Sequence, residues 1–529
     1  MPTDCISYQN SGYFSNLMVD YLNEKEELKQ LYNRFPKLEN FKAQLTEKQA
    51  NFPFENRKIL VSALEKQYEN FEVSESTLNH IQLLNNSNTF TITTGHQLNI
   101  FTGPLYFLYK IISTINLCKE LQKKYPENNF IPIYWMATED HDFEEINYFN
   151  LNEKKIQWKK DSFGPVGRLS TEGLDVVFEE FSKAIGISDN ANYLKELFQK
   201  AYLEHSNLAD ATRYLANELF KNEGLVIIDG DYKNLKQLFV PYVKEELLHQ
   251  TSSEEVLKTN EHLADYKIQV NPREINLFYI EDDLRERIVF ENKQYSVLNT
   301  KMTFSETEIL AELENHPEKF SPNVILRPLY QEVILPNLCY IGGGGELAYW
   351  LELQSNFEAN KITFPMLLLR NSVLLTTEKQ AQKADKLDLS WADLFSTQND
   401  LITNKTKALS QFTIDFSEQK AHLQQQFIGL REMAKQTDKS FIGAVEAQEK
   451  KQLKGLENLE KRLLKAEKRV LAEKLERMTA LQNELFPGKS LQERKINFAV
   501  FYAEFGSTLI EKLLEELKPL EQEFSVVVL

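Results

Sequence analysis

The sequence predicts an α/β protein in which a parallel sheet is followed by an α-helical coiled coil. Short apolar runs alternate with segments of helical periodicity up to about residue 375. Several of these runs end in a loop rich in glycine or ionisable residues, as strands of a parallel sheet do where ligands bind. From residue 376 the composition shifts to Lys, Gln, Glu, Leu and Ala, with apolar residues at helical three-four spacing.

The first predicted strand, Thr89–Thr93, leads into a glycine turn. A second break at Gly103-Pro104 precedes a long apolar helix, and proline suits the first helical position. A glycine in such a loop lets backbone N–H groups approach a phosphate, and a histidine there can donate to a phosphate or carboxylate oxygen. The loop matches neither GxxxxGK[ST] nor GxGxxG. Its candidate ligand-binding residues are Gly95, His96, Gln97, Asn99 and Gly103.

The second predicted strand, Ile131–Met136, is almost entirely apolar, as a strand covered on both faces should be. An acidic loop follows it. Because a helix joins the two strands, they should be parallel, so this loop and the His96 loop should lie at the same sheet edge. The candidate site residues of the acidic loop are Glu139, Asp140, His141 and Asp142.

Three interpretations of the acidic loop stay open at this point. It can be a solvated surface loop. It can hold a metal ion, because His and carboxylates bind zinc or manganese, although adjacent side chains point in different directions and no HExxH pattern is present. It can also bind a substrate ammonium group, with His141 as a general acid or base. We assign no metal site.

Two insertions into the α/β core are predicted, at approximately 143–205 and 267–300. In the first, Lys155–Trp158 and Val166–Leu169 have the composition of short strands. Between the insertions, the core resumes with the strand Leu225–Ile228, which ends in a second acidic loop.

A four-glycine loop follows the predicted strand Leu338–Ile341 and precedes another buried strand, Phe364–Leu369. Ordering four consecutive glycines on folding costs backbone entropy. Such a loop is reasonable where the backbone itself must approach a ligand. Two arginines near this loop can bind a substrate carboxylate or pair with the acidic loops. The candidate binding residues of this region are Arg327, Gly342, Gly343, Gly344, Gly345, Glu346 and Arg370.

Two long helices, Leu409–Ala434 and Phe441–Leu485, are predicted to form a coiled-coil hairpin. The apolar stripe of the second helix shifts by one residue between Val470 and Leu471. Because the first helix is the shorter, we expect apolar surface to remain for a second subunit and thus a homodimer. A purely intramolecular core is the alternative. The predicted units are a catalytic core (1–375), a coiled-coil dimerisation domain (376–486) and a C-terminal segment that packs back on the core (487–529).

The composition limits the class of protein. With 61 basic and 78 acidic residues, the net charge of −17 argues against a nucleic-acid-binding protein. Cys5, Cys118 and Cys339 are scattered and odd in number, which indicates a reducing compartment without disulfides. No run approaches the roughly 18 apolar residues that span a bilayer, and the N-terminus lacks a signal-peptide pattern. We expect a cytoplasmic protein with no nucleic-acid or membrane partner.

Several segments resemble, in the same order, the bacillithiol-biosynthesis cysteine-adding enzyme family: TTGHQLNIFTGPLYFLYK, ATEDHDFEEI, GLVIIDGDYKNLK, SPNVILRPLYQE and GGGGELAYW. The family's GHQ and EDHD motifs fall on Gly95–Gln97 and Glu139–Asp142. The resemblance implies a Rossmann-like core, connecting-peptide insertions and a coiled coil used for dimerisation. It also implies a ligase that joins the carboxylate of cysteine to the amine of glucosaminyl malate, the last step of bacillithiol synthesis.

Amide formation requires an activated carboxylate, so we expect ATP or another nucleotide as the activator. We assign His96 and the Gly95 backbone to stabilisation of a phosphate or acyl phosphate. A metal-dependent hydrolase or deacetylase acting on a related amino sugar is the alternative function. A coiled-coil scaffold without catalysis is a third.

The remaining roles follow from charge. Asp140 and Asp142 are assigned to a substrate ammonium group, with His141 as a candidate general base. Arg327 or Arg370 would hold a carboxylate of the malate group.

Overall fold

The computed structural model describes residues 4–151 and 154–529, and a five-stranded parallel sheet lies at its centre. Numbered in chain order, its strands are β1 (Thr89–His96), β2 (Asn129–Met136), β3 (Val226–Asp229), β4 (Asn337–Gly342) and β5 (Met366–Leu369). Their spatial order is β3-β2-β1-β4-β5, and every neighbouring pair is parallel. The order of strands therefore reverses between β1 and β4, as in a Rossmann fold.

Both faces of this sheet are buried, because successive side chains of a strand point to opposite faces. In β5, Met366 and Leu368 belong to one apolar core, whereas Leu367 and Leu369 belong to the other. Burial on both sides explains why the strands read as nearly continuous apolar runs.

The helices of this N-terminal part precede or connect the strands. Those before β1 are Tyr8–Ser11, Asn16–Leu22, Phe41–Asn51, Phe54–Tyr68 and Glu75–Leu83. Those between β1 and β3 are Tyr106–Lys124, Phe143–Ile146, Leu174–Ile185, Asp189–Leu203 and Leu208–Phe220. Those between β3 and β5 are Lys233–His249, Thr251–Asn260, Glu306–Asn315, Leu326–Ile334, Gly344–Trp350 and Gln354–Ala359.

The predicted insertion 143–205 contains a hairpin of Tyr148–Leu151 and Lys154–Gln157; positions 152 and 153 lie outside the described residues. The prediction of a strand at Val166–Leu169 is wrong, because Val166–Arg168 forms a 3-10 turn. Its backbone hydrogen bonds go to the acidic loop instead of a neighbouring strand. The N–H of Val166 donates to the Asp140 carbonyl (2.7 Å), and that of Gly167 donates to the Thr138 carbonyl (2.8 Å).

The second predicted insertion is an antiparallel sheet that extends beyond residue 300. Its last strand in the chain, Phe320–Pro322, pairs with its first, Leu277–Glu281. The strands of this insertion sheet are Leu277–Glu281, Leu284–Glu291, Gln294–Val297, Thr303–Phe304 and Phe320–Pro322.

A small third sheet joins the two ends of the described chain. Glu523–Val528 lies at its centre, antiparallel to Asp4–Ser7 and parallel to Ser372–Thr376. The C-terminal segment therefore packs against the strand that directly follows β5.

The C-terminal helices form a hairpin that differs from the predicted one at two points. The predicted helix Leu409–Ala434 begins later than expected, because Leu409 ends the preceding helix and the next one starts at Ser417, whose N–H donates to Asp415 (2.9 Å). The second long helix breaks at Leu471, where the apolar stripe changes phase. The helices are Glu378–Lys386, Trp391–Phe395, Gln398–Leu409, Ser417–Ala434, Lys439–Val470, Ala472–Leu485, Ala499–Phe505 and Thr508–Glu516.

The apolar stripe of the second long helix has two different environments. Near its start, Val445 packs with Phe427 and Ala434 of the preceding helix. Beyond the break, Leu475 and Leu485 belong to the main core of the globular part. Within the described residues, no helix combines the length and apolar character needed to cross a membrane.

Candidate active site

A cleft of about 1330 Å³ lies at the carboxyl ends of the central strands, where the strand order reverses. In open α/β sheets this is the position at which ligands bind. Every candidate residue named from the sequence lines the cleft except Gly342, which ends β4 just behind it. The lining candidates are Gly95, His96, Gln97, Asn99, Gly103, Glu139, Asp140, His141, Asp142, Arg327, Gly343, Gly344, Gly345, Glu346 and Arg370.

His96 is the last residue of β1 and is almost completely buried. Its ring packs against Tyr106 and Phe107, with centroid separations of 5.3 Å and 5.1 Å. Burial, followed by the charge of Lys110, lowers the pKa of His96 well below its usual range. The imidazole is therefore neutral, and its Nε2 has no hydrogen-bond partner among the residues that the structure describes. This atom is available to a ligand.

Lys110 is a central residue of the cleft that the sequence analysis missed. Its Nζ donates to the Gly95 carbonyl (2.6 Å) and forms an ion pair with Glu346 (2.6 Å). Burial lowers the pKa of Lys110, and the Glu346 carboxylate opposes this effect. The sequence does carry a signal, because Lys110 is the only charged residue between Leu105 and Cys118.

The four-glycine loop is fixed by the same glutamate. Glu346 accepts hydrogen bonds from the Gly343 N–H (2.8 Å) and the Tyr340 hydroxyl (2.9 Å). None of the four glycines has a positive φ, so their role is to provide space and not an unusual backbone conformation. A Cβ on Gly342 would come within 3.0 Å of Tyr340, whereas one on Gly345 would have no atom within 4 Å. Gly345 therefore leaves open space for a ligand.

Strained backbone supports the wall beside His96. Phe101, Thr102 and Gly103 all have positive φ, which is rare for the first two residue types. The Asn497 amide donates to the carbonyls of Phe101 (2.7 Å) and Gly103 (2.6 Å) and thus stabilises this conformation. At Gly103 a Cβ would lie 2.7 Å from that of Asn99, so no larger residue fits. Such strain is typical of ligand-binding segments.

Within the acidic loop, the two aspartates differ in their contacts. Asp140 accepts hydrogen bonds from Gln97 (3.0 Å) and from the His141 N–H (2.8 Å). Burial alone would raise the pKa of Asp140, but hydrogen bonds from His141 and Gln97 hold it well below its usual range. Asp142 is exposed to the cleft. Both carboxylates can therefore face an ammonium group in the cleft.

The other two members of the loop already have protein partners. Glu139 forms a buried ion pair with Lys236, whose Nζ also donates to the Phe320 carbonyl (2.7 Å). His141 accepts a hydrogen bond at Nδ1 from Arg285 of the insertion sheet (2.6 Å). The sequence gives no indication of these contacts, which join distant segments.

The two candidate arginines have different surroundings. Arg370 forms a buried two-point ion pair with Glu493 (2.7 and 3.1 Å). Arg327 has no carboxylate partner among the described residues; its Nη1 donates to Gln331 (3.1 Å) and the Tyr349 hydroxyl lies nearby. Its guanidinium lies 5.6 to 6.0 Å from the ring centroids of Tyr340, Trp135 and Trp350. Arg327 is thus the better placed to receive a ligand's carboxylate.

A buried glutamate holds another part of the cleft wall. Glu352 accepts hydrogen bonds from the N–H groups of Gln269 (2.7 Å) and Val270 (3.3 Å), both of which line the cleft. Burial raises the pKa of Glu352 to about 7, against the effect of these N–H groups. Among the described residues, in the cleft or outside it, no three His, Cys, Asp or Glu side chains are grouped in a way that could hold a metal ion.

Comparisons with known proteins agree with the predicted fold. Residues 1–371 match the family "Bacillithiol biosynthesis BshC, N-terminal Rossmann-like domain", and residues 373–529 match "Bacillithiol biosynthesis BshC, C-terminal coiled-coil domain". The predicted α/β class, with its Rossmann-like parallel sheet and coiled coil, is confirmed.

Related proteins cover the whole chain. A protein of Flavobacterium johnsoniae is 65% identical over 100% of both chains, and one of Flavobacterium psychrophilum is 63% identical over 100% of this chain and 99% of its own. One of Salinibacter ruber is 30% identical over 96% of this chain and 95% of its own. All three carry the name cysteine ligase BshC. The chain therefore belongs to the bacillithiol biosynthesis BshC family.

Proposed function

We propose that this protein is a ligase that joins the carboxylate of L-cysteine to the amine of glucosaminyl malate and so forms bacillithiol. The name shared by its relatives supports a cysteine ligase. The structural observation that carries the proposal is the distribution of charge in one cleft. The carboxylates of Asp140 and Asp142 face it from one side, and the guanidinium of Arg327 lies in it without a carboxylate partner. Glucosaminyl malate carries an ammonium group and carboxylates, so its binding site needs both anionic and cationic side chains.

The acidic loop would bind the ammonium group and bring it to the reacting carbon. Asp140 is oriented by Gln97, which also donates to Glu145 (2.8 Å), so its carboxylate has little freedom. Asp142 is the exposed member and would contact the amine directly. Arg327 would hold a malate carboxylate, since both terminal nitrogens of Arg370 are already bonded to Glu493.

A nucleoside triphosphate would supply activation by making cysteine's carboxylate an acyl phosphate or acyl adenylate. The cleft fits such a group at two places. Gly345 leaves open space beside the reversal of strand order. Arg494 and Lys495 line the cleft, and neither has an ion-pair partner among the described residues. These two cations would face phosphate oxygens.

The bond-forming step then uses His96. The ammonium group first gives one proton to water, and the resulting amine forms the C–N bond with its lone pair while the carbonyl π electrons move to oxygen. When they return, the C–O bond to the phosphate breaks with its electron pair, and the nitrogen releases its second proton. The single N–H of the neutral imidazole is used by the Thr102 carbonyl, so the unpaired Nε2 carries a lone pair and can accept this second proton.

The purified protein tests this proposal with L-cysteine, glucosaminyl malate and ATP. We expect a thiol of the mass of bacillithiol and release of AMP or ADP. His96→Ala should lower kcat by about 10²–10⁴, whereas His249→Ala, exposed and outside the cleft, should not. Deacetylation of an acetylated amino sugar without amide formation would refute the ligase and favour the metal-dependent hydrolase.

We further propose that the protein is a homodimer through the coiled coil of 376–486 and that it resides in the cytoplasm. The long helix Lys439–Val470 leaves Leu459 53% and Val470 78% exposed, which is apolar surface that a second subunit could cover. The cytoplasmic location fits the free thiols of Cys5, Cys118 and Cys339, of which the latter two are buried.

A further inference from the structure

We propose that Lys110 is a catalytic residue whose Nζ binds the carbonyl oxygen that becomes negatively charged during acyl transfer. This inference rests on the proposed ligase function and adds a group to its chemistry. It depends on the geometry of a buried lysine that has one donor to spare.

A lysine ammonium has three N–H donors. Two are used, since Nζ contacts the Gly95 carbonyl and the Glu346 carboxylate at 2.6 Å each. Among the described residues, Nζ also lies 6.0 Å from the ring centroid of Tyr106. That ring face is a weak partner for a cation. One N–H therefore remains without an oxygen acceptor, although Lys110 lines the cleft.

The ammonium group of Lys110 lies close to His96, since its charge acts on that imidazole. The Gly95 carbonyl that Lys110 binds belongs to the residue directly before His96, and both side chains contact Tyr106. His96 Nε2 is likewise buried without a partner in the described structure. Two unpaired polar groups in one small region are expensive to bury unless a ligand satisfies them. The reacting groups would satisfy both, because the developing oxyanion accepts a hydrogen bond from Lys110 and the attacking nitrogen donates one to His96 Nε2.

Burial of the charge makes the interaction strong. Lys110 is only 4% exposed, so water screens its charge weakly and its attraction to a developing oxyanion exceeds that of a surface lysine. Glu346 is less enclosed, with 27% of its side chain exposed, and it also bonds to Gly343 and Tyr340. The ion pair orients the ammonium group while leaving its positive charge close to the cleft.

In the acyl-transfer step, the amine lone pair forms the C–N bond to the acyl carbon that a nucleoside triphosphate has activated. The π electrons move to the carbonyl oxygen, where Lys110 Nζ donates a hydrogen bond. The oxygen's electrons then restore the double bond, the phosphate leaves with the electrons of its C–O bond, and the nitrogen gives its extra proton to the lone pair of His96 Nε2. Lys110 keeps its protons throughout.

The competing explanation is structural: Lys110 only neutralises Glu346 and fastens the glycine loop. A double-mutant cycle separates the two. Four proteins are compared by kcat and KM for each substrate: wild type, Lys110→Met, Glu346→Gln, and the double variant. In the double variant both charges are gone, so no unpaired Glu346 is left to disturb folding. Thermal unfolding confirms that each protein is folded.

We expect Lys110→Met to lower kcat by about 10²–10³ in either background, with KM for cysteine changed less than threefold. Equal activity of the double variant and Glu346→Gln would overturn the inference, since Lys110 would then matter only through Glu346. If Lys110→Met alone fails to fold, the comparison of those two proteins still decides. If the wild type forms no amide, the proposed function itself is wrong. That outcome is distinct from a failure of the Lys110 inference, which requires an active wild type.

Discussion

Arg370 and Glu493 form a buried two-point ion pair that connects the end of the central sheet to the C-terminal segment. The Nη2–Oε1 and Nη1–Oε2 distances are 2.7 Å and 3.1 Å, and both side chains are at least 95% buried. Glu493 also accepts the N–H of Val373 (3.1 Å). The next two residues, Arg494 and Lys495, line the cleft. This pair therefore places C-terminal cations beside residues that precede them by hundreds of positions.

Removal of the charge of Glu493 should destabilise the protein strongly. Glu493→Gln leaves the buried Arg370 guanidinium without an anion, which typically costs about 3–5 kcal/mol. Urea unfolding measures the change. Glu504→Gln, an exposed position on the nearby helix Ala499–Phe505, should change stability by less than about 0.5 kcal/mol. Equal stability of both variants would show that the pair contributes nothing net.

Asp142→Asn should weaken binding of the amine substrate. The exposed carboxylate faces the cleft, and its replacement by an amide removes the charge opposite an ammonium group. We expect KM for glucosaminyl malate to rise about tenfold, the equivalent of a charge-assisted hydrogen bond of roughly 1.4 kcal/mol. Asp175→Asn, exposed on the helix Leu174–Ile185, is the control. An unchanged KM would remove Asp142 from the binding residues.

Gly345→Ala should lower activity without loss of stability. No atom lies within 4 Å of the added Cβ, and alanine is favoured over glycine in a helix by roughly 0.5–1 kcal/mol. The methyl group would instead occupy space in the cleft. Gly455→Ala provides a matched control, since this helical glycine is equally open but lies outside the cleft. Full activity of Gly345→Ala would mean that no ligand approaches this loop.

Glu352 predicts a defined pH dependence of stability. Its pKa rises from the ordinary 4.5 to about 7 on folding, so between these values the folded protein binds a proton that the unfolded chain has lost. The contribution is thus complete below pH 4.5 and is lost as the pH rises through 7. As the pH rises from 4.5 to about 7, the Tm of the wild type should fall relative to the Tm of Glu352→Gln. The exposed Glu358→Gln is the control, for which we expect no change of this Tm difference with pH. The same constant difference for Glu352→Gln would contradict a raised pKa of Glu352.

The proposed dimer predicts a sensitive face on the long helix. Leu459 and Val470 are about three turns apart and so lie on one face of Lys439–Val470. Leu459→Glu with Val470→Glu should give monomers in light scattering at micromolar concentration, because burying charge at a helix seam is costly. Lys450→Glu with Lys461→Glu, exposed on the opposite face, should leave the dimer intact. A monomeric wild type would make the hairpin an intramolecular structure only.

The local pattern of the sequence was sufficient to predict most of the central sheet. β1 and β2, the helix between them and the loop carrying Asp140 follow from apolar runs, glycine breaks and helical spacing. The prediction of a turn at Gly95-His96 is wrong, because β1 continues through His96. The break at Leu471 coincides with the shift of the apolar stripe. Val166–Leu169 was predicted wrongly, because its hydrogen bonds go to the acidic loop and composition alone cannot show their partner.

The sequence by itself determined the class of fold and which loops meet at the sheet edge, since periodicity and the rule of parallel crossovers are local properties. Only the tertiary structure decided which candidate groups are free. Arg370 is bonded to Glu493, His141 to Arg285, and Lys110 to Gly95 and Glu346. Each of these pairs joins elements far apart in the chain, except Lys110–Gly95, where the helix must fold back over β1. Their energies depend on burial and distance, which exist only once the chain has folded.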